Sequence, residues 1–149
     1  CAPHNLIEEM RLAIVAGRLM SEDIRSLDTA GAFEAATFGG AAALGREDIG
    51  ALGPGMAADI VLVDLNHPLM QPARDPLRSF VFHAADRAVR TVLVDGEIVL
   101  KEGAPVHLDP AAAMERVAEA QARMLRDSVK IDYANRPGDE ISPLSLPMA

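Results

Sequence analysis

Apolar positions in the first part of the chain recur at the three-to-four spacing of a helix face. Leu6, Ile7, Met10, Ala13, Ile14 and Gly17 lie on one side. Leu12, Val15, Ala16 and Leu19 widen that side well beyond a narrow stripe. The pattern predicts a helix from Asn5 to about Leu19, with Asn5 as N-cap and Glu8 closing a capping box. A helix apolar on so much of its circumference needs cover on more than one side. Asp28 then caps a second predicted helix, Thr29 to Phe38. Gly39-Gly40 should interrupt it, Ala41 to Leu44 should resume it, and Gly45 should end it as a C′ residue. The alanine- and glycine-rich run over 30–43 reads as a close helix-packing surface.

The period changes between Ile49 and Asp64. Gly50, Gly53, Pro54 and Gly55 stop helix formation, and Ile60 to Val63, bracketed by Asp59 and Asp64, reads as a buried strand. A proline-containing loop follows over 66–76, then a segment over 77–85 that reads as a short helix, with an extended stretch as the alternative. The clearest local object is the pair of apolar runs at 88–94 and 97–100, joined by Asp95-Gly96. A two-residue Asp-Gly connection predicts a type I′ hairpin. It would set Val94 opposite Glu97, Leu93 opposite Ile98 and Val92 opposite Val99. Asp109-Pro110 begins a long amphipathic helix to about Val129. Residues 131–149 should be extended, pinned by Ile141, Leu144 and Leu146.

Composition changes this picture in a few places. With 149 residues, half of them apolar, the chain is long enough for an ordinary folded core. Four Phe, one Tyr and no Trp mean that the core is built from aliphatic residues and Met. A net charge of −8 argues against nucleic acid and against an anionic membrane surface as partners. No apolar run reaches the roughly 18 residues of a membrane span. The single cysteine, Cys1, excludes an internal disulfide and points to a reducing, cytoplasmic setting. A first residue that is Cys, leading almost directly into a helix, looks like a cut within a larger protein or a processed end.

Catalytic patterns are sparse. His4, His67, His83 and His107 form no HxH or HExxH, and no Cys/His cluster accompanies them. His83 lies among apolar neighbours and should be partly buried; His67 and His107 should be exposed. No GxSxG occurs. Gly53-Pro54-Gly55 precedes a strand and so cannot cradle phosphate at a helix N-terminus. No residue of this chain is assigned as catalytic or as a metal ligand.

The order of the pieces does resemble a known family. Ala36-Thr37, Gly40-Ala41, Leu44-Gly45, Ile49-Gly50, Pro54-Gly55 and Ala58-Asp59, followed by the strand Ile60 to Val63, are similar to the stretch that leaves the barrel in the amidohydrolase superfamily. The resemblance is to the branch of cytosine and guanine deaminases, adenosine-type deaminases and triazine chlorohydrolases. The hairpin Thr91 to Val99 resembles the next hallmark of that family, and Cys1 to Ala13 is similar to the segment after the last barrel strand.

The resemblance implies an α/β fold: a (β/α)8 barrel with a small β-sandwich built from both chain ends. Residues 1–48 would be the last barrel helices, 49–108 the C-terminal part of the sandwich, and 109–149 a trailing helix and tail. It also implies a divalent metal, zinc or iron, in the parent enzyme. A metal-bound hydroxide there would attack a ring carbon of a purine, pyrimidine or s-triazine, and an amine or halide would leave. The family's metal ligands would lie upstream of Cys1, so this chain would be inactive without its missing N-terminal part. Loops at the C-terminal ends of barrel strands form the mouth of such sites. Cys1, His4 and Asn5 would therefore line the substrate pocket, although Pro3-His4 departs from the family's asparagine-rich segment. Partners would be the heterocyclic substrate and further copies in a homo-oligomer. The alternative is a non-catalytic module that self-associates through open sheet edges.

Overall fold

A computed structural model of the chain describes residues 5–146. The fold separates into two compact units, Cys1–Val106 and His107–Ala149.

In the first unit, helix α1 spans Leu6–Ser21. Asn5 caps it as expected, its Oδ1 accepting from the Ile7 N–H at 3.1 Å. The expected capping box does not close, because the Glu8 carboxylate turns to Arg11 at 3.5 Å. Met10 and Ile14 are buried, while Leu12, Val15 and Leu19 on the widened face stay exposed.

The second helical run begins at α2 (Thr29–Glu34), where Asp28 Oδ1 accepts from the Gly31 N–H at 2.8 Å. It continues through a π turn, Ala35–Gly39, into α3 (Gly40–Ala43). The interruption expected at Gly39-Gly40 is absent, since both glycines keep right-handed helical angles. The distortion is the π turn itself, which runs up to and includes Gly39. There the Thr37 hydroxyl donates back to the Phe33 carbonyl at 2.8 Å, a bond that bends helices. The run ends at Gly45 as predicted. The Arg46 N–H reaches the Ala41 carbonyl and the Gly45 N–H reaches the Ala42 carbonyl, the two bonds of a Schellman end.

The third run starts at α4 (Pro76–Ser79), with Pro76 in its first turn and Asp75 Oδ1 accepting from the Arg78 N–H at 3.0 Å. A π turn over Phe80–Ala84 and a 3-10 turn over Ala85–Ala88 complete it. Val81, Ala84, Ala85 and Ala88 point inward. His83 is exposed rather than partly buried, because the π turn gives the inward positions to Val81 and Ala84. Ala85 has φ 49° and ψ −135° and is 1% exposed. Such angles suit glycine and cost another residue about 1–3 kcal/mol. Losing its buried methyl would cost about 0.8 kcal/mol. Ala85→Gly should therefore raise stability by about 1 kcal/mol, read as a higher urea midpoint at unchanged slope.

Four antiparallel strands form one sheet in the order β1-β2-β3-β4: β1 Ile60–Val63, β2 Val89–Val94, β3 Glu97–Lys101 and β4 Ala104–Pro105. Asp95 (φ 50°) and Gly96 (φ 81°) are both left-handed, as a type I′ turn requires. Val94 faces Glu97 and Leu93 faces Ile98, as expected. Val92 faces Leu100 rather than Val99, because a bulge inserts Val99 into β3. The Val99 carbonyl accepts instead from the Val106 N–H at 3.0 Å.

Two small cores hold this unit. Met10, Ile14, Ala32 and Val81 form one, with Ile7, Leu27 and Leu77 against it. Met70, Ala84 and Ala88 form the other, with Val63 and Phe80 against it. Aliphatic residues carry both, as the scarcity of aromatics predicts.

The second unit is built on α5, Pro110–Ile131, whose N-cap Asp109 accepts from the Ala111 and Ala112 N–H groups. The tail is not wholly extended, because Gly138–Ile141 forms a helical turn, α6. Gly138 lies so close to Leu125 that a Cβ there would come within 2.5 Å of Leu125 Cδ2. At the end of α5, the Asp132 carboxylate accepts from Arg136 Nε and Nη2 and from the Ala134 and Arg136 N–H groups. The Arg136 guanidinium holds this carboxyl well below the usual carboxylate range. A depressed folded pKa gives stability that is complete above the unfolded value, about 3.9, and is lost as pH falls through the folded value. The Ala134 and Arg136 amide shifts should therefore be constant from pH 7 to about 4 and move only below it. A transition near pH 6 would remove this assignment. Among the described residues, no helix is long and apolar enough to cross a membrane.

Candidate functional site

Of the expected pocket residues, Cys1 and His4 lie outside the described residues. Asn5 is half-buried at the start of α1. Its Oδ1 is occupied by the cap and its carbonyl accepts from the Glu9 N–H at 3.0 Å. The side-chain NH2 is thus the group Asn5 has to offer a ligand. A donor at the edge of a helix start suits a carbonyl or ring nitrogen.

The described histidines do not converge. His67 is half-buried rather than exposed, and its Nδ1 accepts from the Leu69 N–H at 3.2 Å, capping a 3-10 turn. His83 and His107 are exposed. Among the described residues, no three His, Cys, Asp or Glu side chains come together as a metal site. The divalent metal implied by the resemblance finds no fitting donor set there, and no chemical step is derived through it.

What the structure does bring together is the motif run over 36–64. Its parts meet in a joint between the second helical run and the sheet. Gly50 (φ 85°) packs onto α3 and the π turn before it, where a Cβ would lie 2.9 Å from the Thr37 carbonyl oxygen and 3.0 Å from Ala41 Cβ. Arg46 clasps Asp48 through Nε–Oδ1 at 2.8 Å and Nη2–Oδ2 at 2.5 Å. Hydrogen bonding by Arg46 lowers the pKa of the Asp48 carboxyl. The Asp48 carbonyl accepts from the Ala57 N–H at 2.8 Å, closing the glycine-proline loop.

Ala58 and Asp59 then anchor the hairpin turn. The Gly96 N–H donates to the Ala58 carbonyl at 3.1 Å and the Asp95 N–H donates to Asp59 Oδ1 at 2.8 Å. Sequence reading recognised Ala58-Asp59 as a motif but not the turn it holds, because the partner lies far along the chain. The polar atoms of Asp48, Ala58 and Asp59 that are bonded here serve the backbone or Arg46. A shallow groove beside the joint is lined by Phe38, Ala41, Gly45, Arg46, Ile49 and Met56. Among the described residues, its charged lining groups are Arg46, paired to Asp48, and Glu47. The joint is built to hold elements in register.

Comparison with known proteins gives these pieces a context. The profile described as "Amidohydrolase family" matches residues 1–99. A 5-methylthioadenosine/S-adenosylhomocysteine deaminase of Pelotomaculum thermopropionicum is 38% identical over 122 residues, which cover 82% of this chain and 28% of that protein. A 5'-deoxyadenosine deaminase of Methanothermobacter thermautotrophicus is 36% identical over 121 residues, covering 81% of this chain and 28% of that protein. Among solved structures, an adenosine deaminase from Xanthomonas campestris with bound zinc superposes with a TM-score of 0.76 at 32% identity, covering 80% of this chain and 27% of that one. An atrazine chlorohydrolase from Arthrobacter aurescens complexed with zinc superposes with a TM-score of 0.65 at 29% identity, covering 78% and 25%. The chain thus spans about 28% of the length of the curated relatives it matches.

Proposed function

The chain belongs to the amidohydrolase family, and from that premise we propose that it is the C-terminal portion of a metal-dependent hydrolase that deaminates a nitrogen heterocycle. The preferred substrate class is a purine nucleoside of the adenosine type. Water replaces the exocyclic amino group, which leaves as ammonia, and the ring carbon becomes a carbonyl. The observation that carries this reading is the 38% identity to a nucleoside deaminase across 82% of the chain. Dechlorination of an s-triazine is the second hydrolytic outcome, supported by the likeness to the atrazine chlorohydrolase.

In this reading, 1–48 supply the last barrel helices, 49–108 the C-terminal strands of a composite sandwich, and 109–149 a trailing helix and tail. The antiparallel sheet with β1 at its edge supports the middle assignment, because an open edge can take up further strands. The zinc in the adenosine deaminase neighbour supports a divalent metal in the parent enzyme, held by residues other than the described ones. Cys1, His4 and Asn5 would border the substrate, the enzyme would act as a homo-oligomer, and the composition supports a cytoplasmic setting. The non-catalytic reading draws on the exposed Val61 and Leu62 of edge strand β1. A chain that stays monomeric across a tenfold concentration range in gel filtration would count against it.

The test of the enzymatic reading uses the whole gene product that carries this chain. Ammonia release and the ultraviolet change of adenine to hypoxanthine should follow addition of 5'-deoxyadenosine or adenosine. Turnover of a chlorinated s-triazine alone would move the assignment to dechlorination, and turnover of neither would sink it. Asn5 is tested separately by two variants. Asn5→Asp keeps a capping oxygen but loses the NH2 donor, whereas Asn5→Ala loses both. A substrate contact predicts that both lower kcat/KM by at least about tenfold, the worth of roughly 1.4 kcal/mol. A purely capping role predicts that Asn5→Asp stays near wild type.

A further inference from the structure

We draw no further inference here: the strongest candidate, the exposed apolar row of Val117, Met124 and Ile131 along α5, is an unpartnered helix face, and nothing in the structure shows what covers it.

Discussion

Gly50→Ala is expected to destabilise the first unit by about 3 kcal/mol. Two costs add. The backbone at Gly50 sits at φ 85°, where an L side chain is strained by about 1–3 kcal/mol. The new Cβ would also stand 2.9 Å from the Thr37 oxygen, 3.1 Å from the Thr37 carbonyl carbon and 3.0 Å from Ala41 Cβ. All three belong to a hydrogen-bonded helical run, so no flexible side chain can swing aside. The loop would have to lift off the helix. Gly55→Ala is the internal control, since Gly55 has φ 83° but nothing within 4 Å of a built Cβ. It should show the strain alone, about 1–2 kcal/mol. Urea unfolding of the two variants separates these contributions, and equal losses would show that contact with the helix contributes nothing.

Ile14→Ala should cost about 3–4 kcal/mol, again by chemical denaturation. Ile14 is 0% exposed and shares its cluster with Met10, Ala32 and Val81. The neighbours lie on three separate helical runs, so they cannot all collapse into the space left behind. Domain stabilities are commonly about 5–15 kcal/mol, so this loss would be a large share of the total. Leu12→Ala removes as many carbon atoms from the same helix, but Leu12 is 60% exposed. Its cost should stay within about 0.5 kcal/mol. A Leu12→Ala loss as large as that of Ile14→Ala would mean that the outer face of α1 is covered in solution.

These two leucine-like positions show where sequence reading stops. The apolar pattern of α1 puts Ile14 on the main face and Leu12 on its widened part, but it puts Leu6 on the main face too, and Leu6 is as exposed as Leu12; only packing tells these positions apart. Features set by neighbours in the chain were legible. Asn5, Asp28 and Asp109 cap as their positions predict, and Asp95-Gly96 forms its hairpin. Features set by distant partners were not. The bulge at Val99 answers to a bond with Val106 across the sheet edge, and α6 forms where Gly138 meets Leu125. β4 is only two residues long and carries no periodicity of its own.

The candidate site follows the same division. Asn5 was readable as a cap because the cap is local. The glycine and aspartate motifs were readable as a family signature, yet their physical work at Thr37, Ala57 and Asp95 appears only in three dimensions. Metal chemistry could not be read from four dispersed histidines; of the three described, His67 caps a turn and His83 and His107 are exposed.

The π turn at Ala35–Gly39 also governs how this region can vary. On an unbroken α-helix, at about 100° per residue, Ala32 and Ala41 would point about 180° apart. One surplus residue in the turn takes up roughly 100° of that angle. Both alanines can then be buried, at 3% and 6% exposure, one against α1's core and one beneath Gly50. The turn thus works as a phase adjuster between two engagements of the same helix. Chain length between Thr29 and Gly40 should accordingly be conserved more strictly than residue type. A single deletion there would rotate the whole joint out of mesh, while many substitutions would leave it engaged.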